Sequence, residues 1–158
     1  MGYTHYWVSF ATPPKGVAEE LRPLIAHGEK AGVLFGAMGV GPPDSEFVRF
    51  NGDASNGDAL ETFDVLEMGV YPRETGGFCK TCRKPYDSYV MAAIYRLIAK
   101  ASEIFRFSTD GSYQEWEEGS TKENLNPREL YKEVYGEEPP PVRGNIKSLL
   151  KDPEIRRK

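Results

Sequence analysis

The sequence predicts an α+β domain, a two-layer sandwich in which helices pack on one face of a mostly antiparallel sheet. Three observations carry that expectation. Segments such as THYWVSF alternate with the period of two that a half-buried strand requires. Two longer segments repeat their apolar residues at helical spacing. Several strands follow one another between those helices, in the order β-α-β-β-β-α-β-α-α, which suits an antiparallel meander.

In THYWVSF, Tyr3, His5, Trp7 and Ser9 point to one side, and Thr4, Tyr6, Val8 and Phe10 to the other. Its aromatic and β-branched content suits a central strand. ATPPKG breaks it. Val17, Leu21, Leu24 and Ile25 then mark an amphipathic helix to about Lys30, which Pro23 should kink or split. AGVLFGAMGVGPPD reads as a short buried strand over Val33 to Phe35 followed by a Gly/Pro loop. EFVRFNG is a strand closing at Asn51-Gly52, DASNGDAL a polar loop, and ETFDVLEM the next strand, together a hairpin with a long connection. YPRETGG is a further loop. The best-patterned helix follows, with Val90, Ile94, Leu97, Ile98 and Ala101 at helical spacing, Pro85 suited to its first position and Asp87 to its first turn. IFRFSTDG is the last strand. Two short helices come after it, one opened by Ser112 and Glu115 as a capping box, the other by Asn126, Pro127 and Glu129. The expected domain spans residues 1–136, and residues 137–158 form a peripheral tail, Pro-rich and then basic.

A chain of 158 residues can bury a core without staples. Its net charge of −4 is too mild to name a partner, and it lacks the broad basic excess of a general nucleic-acid binder. Two cysteines three positions apart exclude a disulfide framework. No secretory leader pattern is present and no apolar run approaches ~18 residues, so the expectation is a soluble cytoplasmic protein without membrane association.

FCKTCRKPYD, residues 78–87, concentrates the chemistry. Cys79 and Cys82 have zinc-ligand or redox spacing, but a structural zinc site needs about four ligands, and the only histidines are His5 and His27. Structural zinc is therefore disfavoured. Lys80, Arg83 and Lys84 precede a helix whose first turn offers unpaired N–H groups, and cations at a helix N-terminus make an anion site. A thiol in that field would have a lowered pKa. At strand ends stand Asn51, Asp53, Glu61 and, with Ser108, Asp110; turn chemistry alone accounts for Asn51 and Asp110 equally well. His5, on its strand, is either a satisfied core residue or the general acid–base of a cleft.

GYTHYW, FNGDAS, ETF, FCKTCRKPYD and STDG, in that order over residues 2 to about 116, resemble the blocks of a family of small uncharacterised proteins from bacteria, their phages and some fungi. That family has alanine where this chain has Cys82, which weakens the zinc and redox readings and leaves Cys79 as the thiol of interest. The resemblance implies that His5, Asn51, Asp53, Glu61, Cys79, Lys80, Arg83, Lys84, Asp87 and Asp110 lie in motif blocks. It implies no reaction.

The leading expectation is a hydrolase or transferase for a small anionic molecule, a nucleotide or phosphorylated metabolite. Lys80, Arg83 and Lys84 would hold the anion, with Asn51, Asp53, Asp87 and Asp110 as further ligand-binding candidates. His5, Glu61 and Cys79 would be catalytic, and Asp53 and Asp110 could instead hold ligand hydroxyls or a divalent cation. The alternatives are a non-catalytic nucleotide binder in a phage–host setting, placed in the host cytoplasm, and a protein-interaction module built on the acidic stretch from Asp110 to Glu138 and the basic tail.

Overall fold

The computed structural model describes residues 3–11, 13–14, 16–41, 45–65 and 75–150. In chain order they form β1 (Thr4–Ser9), α1 (Arg22–Lys30), β2 (Phe35–Gly41), β3 (Ser45–Asn51), β4 (Phe63–Val65), β5 (Thr75–Lys80), α2 (Asp87–Ala101), β6 (Phe105–Thr109), α3 (Tyr113–Glu118), α4 (Pro127–Tyr135) and β7 (Ile146–Ser148). The class is the expected one: α+β, with antiparallel pairing everywhere except between β6 and β7, which run parallel. The strands divide into two sheets, however, a four-stranded one in the order β5-β1-β6-β7 and a three-stranded one in the order β2-β3-β4.

Local chemistry explains most boundaries. Pro23 splits the first helical segment into a 3-10 turn over Ala18–Leu21 and α1, where the proline occupies the first turn and costs no hydrogen bond. Ser112 and Glu115 form the full capping box of α3, and the Asn126 side chain accepts the amides of Arg128 and Glu129 at the start of α4. α2 is buried on nearly every side, with only Ala99 and Lys100 of its fifteen residues exposed. An all-round buried helix is the core itself rather than a lid on it. One cluster of buried residues joins α2 to the inner faces of both sheets.

Four expectations need correction. The second strand starts at Phe35 and runs through the glycines to Gly41, because pairing with β3 supplies the backbone partners that a loop would take from water. The strand expected over ETFDVLEM is β4, three residues long, and residues 66–68 lie outside those described. The loop expected at YPRETGG ends in a strand, β5, so FCK at the head of the FCKTCRKPYD block is sheet and α2 begins only at Asp87. Residues 137–150 are not peripheral: β7 pairs with β6, and Val142 and Ile146 are almost fully buried.

The alternation read in β1 is realised. Tyr3, His5, Trp7 and Ser9 are buried beneath α2 together with Phe105, Phe107 and Thr109 of β6. Tyr6, Val8, Arg106, Ser108 and Lys147 lie on the opposite face, which is the open side of the four-stranded sheet. No helix among the described residues is long and apolar enough to cross a membrane.

Candidate functional site

The His5 side of β1 is buried. His5 and Asp87 are fully buried, and the imidazole is held at both nitrogens, Nδ1 2.8 Å from Thr109 Oγ1 and Nε2 2.7 Å from Asp87 Oδ1. The tautomer follows from the donors around Thr109. Its hydroxyl oxygen accepts the Gly111 amide at 3.0 Å and the Trp116 indole N–H at 3.1 Å, which occupies both lone pairs. Its proton therefore goes to His5 Nδ1, and the His5 Nε2–H donates to Asp87. Thr81 and Ser120 donate two more hydrogen bonds to the same carboxylate, at 2.6 and 2.7 Å. The result is a closed polar core in which every member is satisfied.

Cys79 is likewise buried, with its thiol 3.4 Å from the Glu61 carbonyl. Burial, with the Asp87 carboxylate nearby, pushes the thiol well above its ordinary range, the reverse of the activated thiolate expected from the local cations. Glu61 pins β5: its carboxylate accepts the Lys80 amide at 2.7 Å, while its own amide donates to the Lys80 carbonyl. Nothing in the sequence near Glu61 announced this task, since the partner lies 19 residues on.

The expected anion site at the α2 N-terminus is filled from within. The amides of Asp87, Tyr89 and Val90 already donate to the carbonyls of Lys84 and Tyr86. Arg83 stacks 4.0 Å above the Tyr3 ring and donates to Glu115 at 2.7 Å, and Lys84 Nζ donates to the Gly57 carbonyl. Asp87 itself supplies the negative charge that the helix end favours. The turn that arranges this is strained: Cys82 and Arg83 are both left-handed, at φ 47° and 58°, an unusual conformation for side-chain-bearing residues.

The remaining candidates hold turns or tie distant elements together. Asn51 donates to the Leu60 carbonyl and the Thr62 hydroxyl and accepts the amides of Gly52 and Leu60. Asp53 caps the short turn at Ala54 through the Ser55 amide and hydroxyl. Asp110 accepts the Thr4 amide and the Tyr6 hydroxyl. His27, on α1, bridges the Tyr89 hydroxyl and Glu133. Among the described residues no group of three His, Cys, Asp or Glu side chains is placed to hold a metal ion.

A cavity of about 440 Å³ does open on the other face of the four-stranded sheet. Its floor includes Tyr6 and Val8 of β1, Arg106 and Ser108 of β6 and Lys147 of β7, with Tyr113 at the head of α3 as one wall. Among the described residues no Asp or Glu lines it. Arg106 donates to the carbonyls of Ser102 and Phe105 and lies 5.2 Å from the Phe10 ring centre, so its charge is oriented without an acidic partner among the described residues. A second cavity of about 410 Å³, beside His27, includes Glu129 and Glu133 in its lining. Tyr6, Arg106, Tyr113 and Lys147 are the residues that the sequence reading missed. The alternation of β1 and β6 marks this face too, but the residue types that suggest chemistry, His5 above all, lie on the other side of the strand. Comparison with protein-family models, curated proteins and solved structures found no match to this chain.

Proposed function

We propose that the chain binds a small anionic molecule carrying a flat ring, a nucleotide or phosphorylated metabolite, in the cavity on the open face of the four-stranded sheet. One observation carries this reading: Arg106 and Lys147 share that cavity with Tyr6 and Tyr113, and among the described residues no carboxylate lines it. Its volume falls in the range of about 300–1,000 Å³ common for small-molecule sites. Guanidinium and ammonium groups attract phosphate oxygens, and tyrosine rings give a base a stacking surface. The second cavity suits an anion less well, because Glu129 and Glu133 would repel it.

The reading is of a binder rather than an enzyme. His5, Glu61 and Cys79 are each committed to internal hydrogen bonds, and none lines the cavity. Thermal unfolding with AMP, ADP or inorganic phosphate tests it. Ligand at a hundred times its dissociation constant should add about 2.7 kcal/mol, a rise of roughly 5–10 °C in Tm for a domain of this size. Lys147→Ala should remove most of that rise. An unchanged Tm with every nucleotide would overturn the site, and conversion of the ligand on long incubation would overturn the binder reading.

A further inference from the structure

The open face continues beyond the cavity. The strand register places Phe78, Tyr6, Ser108 and Lys147 in one row across β5, β1, β6 and β7. At sheet spacing that row spans about 14 Å. Phe78 is 61% exposed, lies outside the cavity lining and stands directly opposite Tyr6, so the two rings are immediate cross-strand neighbours on one face. Lys80, two positions on from Phe78, shares that face, and Arg106 borders the row from β6. Among the described residues neither Lys80 nor Lys147 has a carboxylate partner. Of the described carboxylates near the face, Asp110 accepts from the Tyr6 hydroxyl and the Thr4 amide, and Glu61 from the Lys80 amide.

We propose that this row is a platform for a short single-stranded oligonucleotide, with bases stacked on Tyr6 and Phe78 and phosphates held by Lys80, Arg106 and Lys147. The inference rests on the nucleotide reading of the cavity and extends it by a second base. Two adjacent rings flanked by cations are the elements with which sheet surfaces hold splayed bases and their backbone. A duplex, whose bases are already stacked on one another, offers no free ring face to such a platform. The overall negative charge of the chain does not oppose this, because recognition depends on a local patch and stacking rather than on a broad field.

Fluorescence anisotropy with labelled eight-nucleotide single strands of DNA and of RNA, beside calorimetric titration of AMP, tests the proposal. The expected result is saturable binding of one or both strands at least about tenfold tighter than AMP. Three phosphate contacts should give a salt dependence with log–log slope of about −2. Phe78→Ala should abolish the gain over AMP without changing AMP affinity, and Phe78→Tyr should keep it. Because the ring is exposed, neither substitution should disturb folding, which circular dichroism checks. If AMP binds but the strands bind no tighter, or Phe78→Ala changes nothing, the platform is overturned and the cavity reading survives. Equal affinity for a duplex of the same sequence would also overturn it. If neither AMP nor the strands bind, both readings fall.

Discussion

Asp87 sits at the first position of α2, where the macrodipole favours a carboxylate, and that much is visible in the sequence. Its partners are not, because they come from positions 5, 81 and 120 and meet only in the folded chain. The same holds for His5, whose tautomer is set by Thr109 and, through it, by Trp116 and Gly111. Residue types suited to catalysis are also residue types suited to a closed buried network, and only burial distinguishes the two. Asp87→Ala would leave a buried imidazole N–H and two hydroxyls unpaired, each costing about 1–3 kcal/mol. Denaturant unfolding should show a loss of at least about 3 kcal/mol, and Asp87→Asn, which keeps an acceptor for His5, should lose less. A change within about 0.5 kcal/mol for Asp87→Ala would show that the network does not support the fold.

At the scale of elements, strands and helices with strong periodicity were legible: β1, β3, β6 and α2, together with the caps of α3 and α4. β5 was not, because TGGFCK carries two glycines, and glycine weakens strand preference. The structure explains one of them. A Cβ on Gly77 would lie 2.5 Å from the indole nitrogen of Trp7, its opposite residue on β1, so the glycine makes room for a buried tryptophan. Gly77→Ala should cost about 1–3 kcal/mol by overpacking. Gly76→Ala, whose Cβ would meet nothing closer than 3.6 Å, is the control and should fall within about 0.5 kcal/mol of the parent. Equal stabilities in the two variants would refute the account of β5. β7 escaped the reading for another reason: its three residues earn burial only through Ile146 and the neighbouring Val142, and their partner β6 lies about 40 positions away.

For the whole molecule, the α+β class and the mostly antiparallel pairing could be read from patterning, whereas the division into two sheets could not. Patterning states which side of a strand is apolar, not which strands share a sheet. The site suffered from the same limit. His5 and Cys79, the residues whose types suggested catalysis, lie on the inner side of the sheet, as structural polar groups do, while the cavity forms on the outer side, where Arg106, Tyr113 and Lys147 stand outside every motif block. The central claim is that an anionic ring-bearing ligand binds this outer face and not the N-terminus of α2. Backbone amide NMR shifts during titration with AMP test it most directly. The account predicts saturable changes at Tyr6, Arg106, Ser108 and Lys147 with little change at Arg83 to Asp87; changes confined to Arg83 to Asp87, or none at all, would contradict it.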